Sequence, residues 1–279
     1  MKKACVIGFP IAHSRSPLIH NHWLQTYGLQ GLYEQREVKP AELAHFLGNL
    51  AAEGYVGCNV TIPHKEAALS IISAVDDIVR RTGSLNTVYY EGGILKATST
   101  DGEGFYQNLL ATAPNASLAG KKVLMIGAGG TSKAIAERLL RADVAEIKIL
   151  NRTLARAEEL CAAFGPRLRA IAPDHFGAES KDVALLVNTT SQGMKGQEGL
   201  EVDLSDLQPD TIVADIVYVP LQTKLLAQAG ARGLRTVGGL GMLLHQAVLG
   251  FEKWFGLRPE VTPELYALVA RDIDPGFRP

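Results

Sequence analysis

Cysteine is scarce in this 279-residue chain. The three that occur, Cys5, Cys58 and Cys161, are far apart and form no Cys-x-x-Cys pairing. That excludes a disulfide framework and fits a reducing, cytoplasmic setting. No apolar stretch approaches the roughly 20 residues needed to cross a bilayer. The opening Met1-Lys2-Lys3 and Ala4-Cys5-Val6-Ile7-Gly8-Phe9 stop at Pro10, too short for a secretory signal, and read as a first strand. An excess of one charge is also missing: 28 Lys and Arg face 29 Asp and Glu, for a formal net charge of -1. Without a run of like charges there is no basic face for nucleic acid. No histidine, cysteine or carboxylate spacing suits a metal, and no Ser–His–Asp arrangement suggests a hydrolase. Internal repeats and low-complexity tracts are absent as well.

What is present is an ordinary globular balance, 47% hydrophobic and 20% charged, in a chain long enough for about two domains. Strand and helix signals alternate. Lys3 to Phe9, Leu32 to Val38 and Val56 to Thr61 read as strands. Leu18 to Tyr27 and Pro40 to Glu53 read as helices, and Pro63 is expected to open another. Alternation of this kind implies a mostly parallel sheet. Ala113-Pro114-Asn115-Ala116-Ser117 is a turn-rich break, after which the pattern restarts. Strands are expected over Lys121 to Ile126, Glu146 to Leu150, Val183 to Asn188, Thr211 to Ile216 and Leu234 to Val237. Helices are expected over Thr131 to Ala142, Leu240 to Phe255 and Pro263 to Arg271.

Gly127-Ala128-Gly129-Gly130-Thr131-Ser132 falls between an expected strand and an expected helix. Glycines there permit a tight turn and close approach of a pyrophosphate, and the helix N-terminus adds N–H donors and positive dipole character. Ser132 stands in the third glycine position of the G-x-G-x-x-G pattern. About 20 residues on, where an NAD site places a carboxylate on the ribose 2′-hydroxyl, the chain has Asn151-Arg152-Thr153, with Arg156 one helical turn beyond. An acid would repel a 2′-phosphate, whereas arginine binds it with a charge-assisted fork. The pattern points to NADP(H).

A second set of polar residues lies outside that segment. Asn59 and Thr61 share a face at the strand period of two, and Lys65 follows in Asn59-Val60-Thr61-Ile62-Pro63-His64-Lys65. Asn86-Thr87 and Thr100-Asp101-Gly102 come later. A lysine beside a carboxylate suits carbonyl reduction, in which hydride transfer leaves alkoxide charge to be stabilised or protonated.

These strings together resemble the shikimate dehydrogenase family. The resemblance spans nearly the whole chain and rests on nine segments in order. The first four are Ser14-Arg15-Ser16-Pro17, the Asn59 to Lys65 segment, Asn86-Thr87 and Thr100-Asp101-Gly102. Gly127-Ala128-Gly129-Gly130 and Asn151-Arg152-Thr153 follow, then Asn188-Thr189-Thr190-Ser191-Gln192-Gly193-Met194. Asp215-Ile216-Val217-Tyr218 and Gly241-Met242-Leu243-Leu244-His245-Gln246-Ala247 complete the set. Ala97, Ser99 and Gly238 depart from the family pattern, which usually has Gly, Asn and Asp there.

The resemblance implies an α/β fold. Residues 1–101 and 239–279 would form a substrate-binding, catalytic domain, and residues 102–238 a Rossmann-type NADP-binding domain. It implies reversible NADPH-dependent reduction of 3-dehydroshikimate to shikimate, in a cytoplasmic monomer or homodimer. Ser14 and Ser16 would bind the substrate carboxylate, and Asn59, Thr61, Asn86, Asp101 and Gln246 its hydroxyls. Lys65 and Asp101 would be the catalytic pair. Gly127, Ala128, Gly129, Gly130, Asn151, Arg152, Thr153 and Arg156 would hold the nucleotide. Asn188, Thr189, Thr190, Ile216, Gly239 and Met242 would lie along the cofactor, and Tyr218 near the nicotinamide and the substrate. Two alternatives stand beside this reading. One is a quinate/shikimate dehydrogenase of broader substrate and cofactor range; the other is a non-catalytic NADP(H)-sensing protein on the same fold.

Overall fold

The structure is a computed structural model that describes residues 1–278. The chain divides into two compact units, one built on residues 1–101 with 244–269 and the other on 102–243 with 270–277.

The first unit carries β1 (Lys2–Gly8), β2 (Gly31–Glu37), β3 (Tyr55–Val60), β4 (Ala74–Val75), β5 (Thr87–Glu91) and β6 (Ile94–Thr98). They form one sheet in the order β2-β1-β3-β5-β6-β4. β1 runs parallel to β2 and β3, but β5 is antiparallel to both β3 and β6. This sheet is therefore parallel-rich, as expected, with three parallel pairings and one strand, β5, antiparallel to its neighbours. The cause is a tight hairpin: Gly92 (φ 60°) and Gly93 (φ 78°) both take left-handed conformations, as the two central residues of a primed turn must. That turn sets the register, Glu91 opposite Ile94 and Thr87 opposite Thr98.

Three helices punctuate the unit, α1 (Ser16–Thr26), α2 (Leu43–Gly48) and α3 (Asp77–Thr82). The helix expected over 40–53 is shorter, a 3₁₀ turn at Pro40–Glu42 leading into α2. Asn49 Nδ2 donates to the His45 carbonyl at 2.8 Å, a local side-chain bond that competes with continuation of the helix. The helix expected from Pro63 is replaced by turns and a 3₁₀ segment at Ala67–Ser70. There, tertiary partners claim the polar groups: the His64 ring bonds the Val38 carbonyl at 2.7 Å, and the Lys65 carbonyl accepts from Leu85 N–H. One sheet face packs Ile7, Phe46, Leu47, Leu50, Val60 and Val88 into a core.

The chain enters the second unit with α4 (Asp101–Thr112). Its strands are β7 (Lys122–Ile126), β8 (Glu146–Leu150), β9 (Leu168–Ile171), β10 (Leu185–Asn188), β11 (Ile212–Asp215) and β12 (Arg235–Val237). All are parallel, in the order β12-β11-β10-β7-β8-β9, the doubly wound order of dinucleotide-binding folds. The helices α5 (Gly130–Arg141), α6 (Leu154–Phe164), α7 (Phe176–Ser180) and α8 (Lys224–Ala231) connect them. Both faces of this sheet are covered: Val123 and Met125 enter one core and Leu124 and Ile126 the other. That explains why β7 reads as a continuous apolar run. Lys148, only 3% exposed on β8, is matched by Asp182 at 2.6 Å and Glu179 at 3.1 Å. A buried cation of this kind is stable only when paired.

The division between the units falls inside α9 (Gly239–Phe255) and again inside α10 (Pro263–Ile273). The C-terminal part of α9 belongs to the first unit and lays Trp254 on its sheet. The indole Nε1 donates to the Val88 carbonyl at 2.9 Å. It fits because residue 57 is glycine; a Cβ there would lie 2.1 Å from Trp254 Nε1 and 2.3 Å from the Val88 oxygen. Trp254 also joins His20, Trp23, Tyr33 and Phe251 in an aromatic cluster. His20 is fully buried in it, and neither ring nitrogen has a hydrogen-bond partner among the described residues. Burial pushes its pKa down from 6.5 to about 3.

Two outcomes follow from this packing. Gly57→Ala is expected to cost about 3 kcal/mol or more in urea unfolding, because both obstacles to the new methyl are fixed groups; a cost under about 1 kcal/mol would show that the indole slot yields. His20 is a base whose folded pKa is depressed, so its stabilisation is complete above about pH 6.5. Below that, the unfolded chain takes up a proton that the folded chain refuses until about pH 3, and stability falls. Compared with wild type, His20→Phe should flatten the fall between pH 6 and pH 4 by up to about 1.4 kcal/mol per pH unit. Parallel stability–pH curves would contradict the burial of an unpaired imidazole.

Candidate active site

In open α/β sheets, ligands bind beyond the carboxyl ends of strands where the strand order reverses. Each unit has such a point. In the first unit the order reverses between β1 and β3. The loop after β1 carries Ser14 and Ser16, and β3 with its following turn carries Asn59, Thr61 and Lys65. The two strand ends approach closely: Phe9 N–H donates to the Ile62 carbonyl, and a Cβ on Gly8 would lie 2.7 Å from Thr61 Cγ2. The Ser14 hydroxyl accepts from the Ser16 N–H at 3.3 Å. That leaves its proton to be donated elsewhere. Ser16 opens α1, where the helix dipole favours a negative charge.

Lys65 and Asp101 meet directly. Lys65 Nζ donates to Asp101 Oδ2 at 2.5 Å, with the two side chains 19% and 9% exposed. The carboxylate's other oxygen, Oδ1, accepts from Asn86 Nδ2 at 2.7 Å. The orientation of that amide is set by the backbone, since Asn86 Oδ1 accepts from the Thr100 N–H at 2.9 Å. Gln246, reaching in from α9, places Oε1 3.3 Å from the Thr100 hydroxyl. Asn59 Nδ2 donates to the Asn86 carbonyl at 3.1 Å and to Thr87 Oγ1 at 3.2 Å. Seven polar residues, Asn59, Lys65, Asn86, Thr87, Thr100, Asp101 and Gln246, thus form one connected network in a single unit. Of these, sequence reading assigned no role to Thr87 and Thr100, although both stand inside the motifs it singled out. His64, next to the lysine, is 1% exposed and points to Val38 instead.

In the second unit the order reverses between β7 and β10. Gly127 leaves β7 with φ 117°, and a Cβ there would meet Thr189 Oγ1 at 2.6 Å. Gly129 caps α5, and a Cβ on it would meet nothing within 4 Å. Open space therefore faces the first-turn N–H groups of α5, which have no carbonyl in their own helix. These features fit a pyrophosphate. Ser132, in the third glycine position, is fully buried. Its hydroxyl accepts from the Gly129 N–H at 3.0 Å and lies 2.7 Å from Thr189 Oγ1, bracing the turn against the end of β10. The serine replaces the small-residue packing of glycine with hydrogen bonds.

Beyond β8, Asn151 Nδ2 donates to the Thr153 carbonyl at 2.8 Å and shapes the turn that presents Arg152. Arg152 and Arg156 are both exposed, and neither forms an ion pair among the described residues. Asn188 is fully buried; its amide bonds Asp215 Oδ1 and the Gln192 carbonyl and accepts from Thr190. Its side chain therefore shapes the loop over residues 188–192. Asp215 also accepts from Thr223 and from Val217 N–H, and burial raises its pKa. Gly239 has no room for a side chain, since a Cβ would lie 2.2 Å from the Ile216 oxygen. Met242 packs into the core of this unit, and Tyr218 follows β11 half-buried. Of the three departures from the family pattern, Ala97 is buried on β6, Ser99 is buried beside Thr100, and Gly238 gives its carbonyl to Asn108.

Comparison with known proteins agrees with this architecture. Residues 6–88 match the family model for the shikimate dehydrogenase substrate binding domain, 109–210 that for shikimate / quinate 5-dehydrogenase, and 239–263 that for the shikimate 5'-dehydrogenase C-terminal domain. A shikimate dehydrogenase (NADP(+)) of Rhodopseudomonas palustris is 53% identical over 97% of this chain and 96% of its own. The structure of shikimate 5-dehydrogenase from Thermus thermophilus, in complex with NADP(H) and shikimate, has a TM-score of 0.87 at 35% identity, covering 98% of this chain and 100% of that one. Quinate dehydrogenase from Corynebacterium glutamicum, in complex with NAD, also has a TM-score of 0.87, at 29% identity over 96% of this chain and 98% of that one. With full-length relatives above half identity, and with three successive segments matching its domain models, the chain belongs to the shikimate dehydrogenase family.

Proposed function

We propose that this chain catalyses the reversible, NADPH-dependent reduction of 3-dehydroshikimate to shikimate. The observation that carries the reading is the Lys65–Asp101 pair at 2.5 Å, set among amide and hydroxyl groups that suit a polyol. Ser14 and Ser16 take the substrate carboxylate at the start of α1. Asn59, Thr61, Asn86, Asp101 and Gln246 take its hydroxyls, and Tyr218 completes the contacts. A site built on hydrogen bonds rejects analogues that lack the hydroxyls, because its buried polar groups would then be left unpaired.

Bound NADPH supplies the hydride. As it reaches the ketone carbon, charge develops on the ketone oxygen, and the Lys65 ammonium stabilises that charge. Asp101 holds Lys65 in place, and Asn86 in turn fixes the carboxylate through its other oxygen. The turn over 127–130 receives the pyrophosphate. Arg152 and Arg156, without acidic neighbours bonded to them, receive the 2′-phosphate beyond Asn151 and Thr153. Thr189, Thr190, Ile216, Gly239 and Met242 border the rest of the cofactor, and the buried Asn188 amide holds that border in shape. The unpaired thiols fit work in the cytoplasm.

The test is steady-state oxidation of shikimate and of quinate, each with NADP⁺ and NAD⁺, followed by nicotinamide absorbance. A strong preference for shikimate with NADP⁺ is the expected result. Comparable rates with quinate or NAD⁺ would assign the chain to a dehydrogenase of broader range. Measurable NADPH binding without turnover of any pair would make it a sensor. Lys65→Ala is expected to lower kcat by roughly 10²–10⁴-fold with a much smaller change in KM. Near-full turnover in that variant would remove Lys65 from the mechanism.

A further inference from the structure

Tyr33 has no role in the chemistry described so far, yet both its backbone and its side chain are held by named partners. It lies on β2, at the edge of the first sheet, and is 1% exposed. The Asn21 side chain clamps its backbone from α1: Nδ2 donates to the Tyr33 carbonyl at 2.7 Å, and Oδ1 accepts from its N–H at 3.0 Å. The His20 ring stacks on its ring at a centroid distance of 4.0 Å and an interplanar angle of 13°. So constrained, its hydroxyl reaches across β1 to β3 and donates to Asn59 Oδ1 at 2.6 Å.

The direction of each proton follows from one group that can only accept. The Asn86 backbone carbonyl takes a hydrogen from Asn59, so Nδ2 must face it, and Nδ2 spends its second hydrogen on Thr87. Asn59 Oδ1 therefore faces Tyr33, whose single proton must point to Asn59. Asn59 Oδ1 keeps its second lone pair, so the residue reads a substrate hydroxyl only as a donor.

We propose that Tyr33 is a positioning residue that fixes the Asn59 amide, so that its oxygen and not its nitrogen meets a hydroxyl of the substrate. The inference rests on the substrate reading above. Tyr33→Phe keeps the aromatic packing and removes only the hydroxyl. The expected result is a KM for shikimate raised roughly 5- to 50-fold, the range for leaving a buried acceptor unpaired. Turnover and the KM for NADP⁺ should stay near the wild-type values, and the midpoint of thermal unfolding should fall by several degrees at most, the effect of the unpaired acceptor on the free enzyme. A double-mutant cycle separates positioning from general loosening. In an Asn59→Ala background, Tyr33→Phe should change kcat/KM less than about twofold, because its effect passes through Asn59. Should Tyr33→Phe fail to fold, Asn21→Ala, which frees the Tyr33 backbone, should raise KM selectively in the same way and lose its effect in the Asn59→Ala background. An unchanged KM, or equal effects with and without Asn59, overturns the link. Wild-type protein is the control: if it turns over no shikimate, the proposed function itself fails, whereas an active wild type with an indifferent Tyr33→Phe overturns the link alone.

Discussion

The Thr100 backbone N–H, donated to Asn86 Oδ1, sets the polarity of the network around Lys65 and Asp101. An amide can turn either face to a hydroxyl, but only its oxygen can face an N–H. With that oxygen fixed, Asn86 Nδ2 is aimed at Asp101 Oδ1, and Asp101 Oδ2 is left for Lys65. Thr87 donates to the same Asn86 oxygen, so its own lone pairs receive Asn59. A direction chosen by one peptide group is thus passed from side chain to side chain as far as Tyr33. No charge is needed to propagate it.

That N–H is in place because of the β5–β6 hairpin. Asn86 precedes β5 and Thr100 follows β6, and the pairing of Thr87 with Thr98 brings them side by side. A slip of one residue would turn every side chain in β6 to the opposite face and carry Asp101 away from Lys65. The two-glycine turn, far from the chemistry, therefore governs the distance between the ion-pair partners. Gly8, Gly57, Gly127 and Gly239 act differently, by letting one piece of backbone or one ring come close to another where any side chain would block it.

Much of this was legible in the residues. The parallel sheet of the second unit showed in its long apolar runs, and its glycine turn showed in strand–turn–helix order, because local sequence dictates both. Lys65, Asn86, Asp101 and Gln246 were picked out by motif, and the structure brings them within one network. The mostly parallel character of the first sheet was legible too, but its one antiparallel strand was not marked, although Glu91-Gly92-Gly93-Ile94 between β-rich segments is a two-residue turn signal. Other features had no local signature. The turn at Pro63 depends on Val38 and Leu85, which are distant in sequence. His20 lies in the expected helix Leu18 to Tyr27 with nothing local to mark it, because what surrounds it comes from β2 and α9. Tyr33 lies in the expected strand Leu32 to Val38; a tyrosine's hydroxyl shows its purpose only when the residue it reaches, 26 positions away, is in place.

The slot at Gly57 also bears on the order in which the protein is made. Trp254, which fills it, and Gln246, which joins the Lys65–Asp101 network, both lie on α9 and leave the ribosome after residues 102–238. The sheet they complete emerges before them. During translation the early strands wait with one face uncovered, while nearly all of the nucleotide-binding unit, residues 102–243, has already been made and can fold. A chain interrupted before α9 carries an intact glycine turn but neither the tryptophan of the Gly57 slot nor the Gln246 amide.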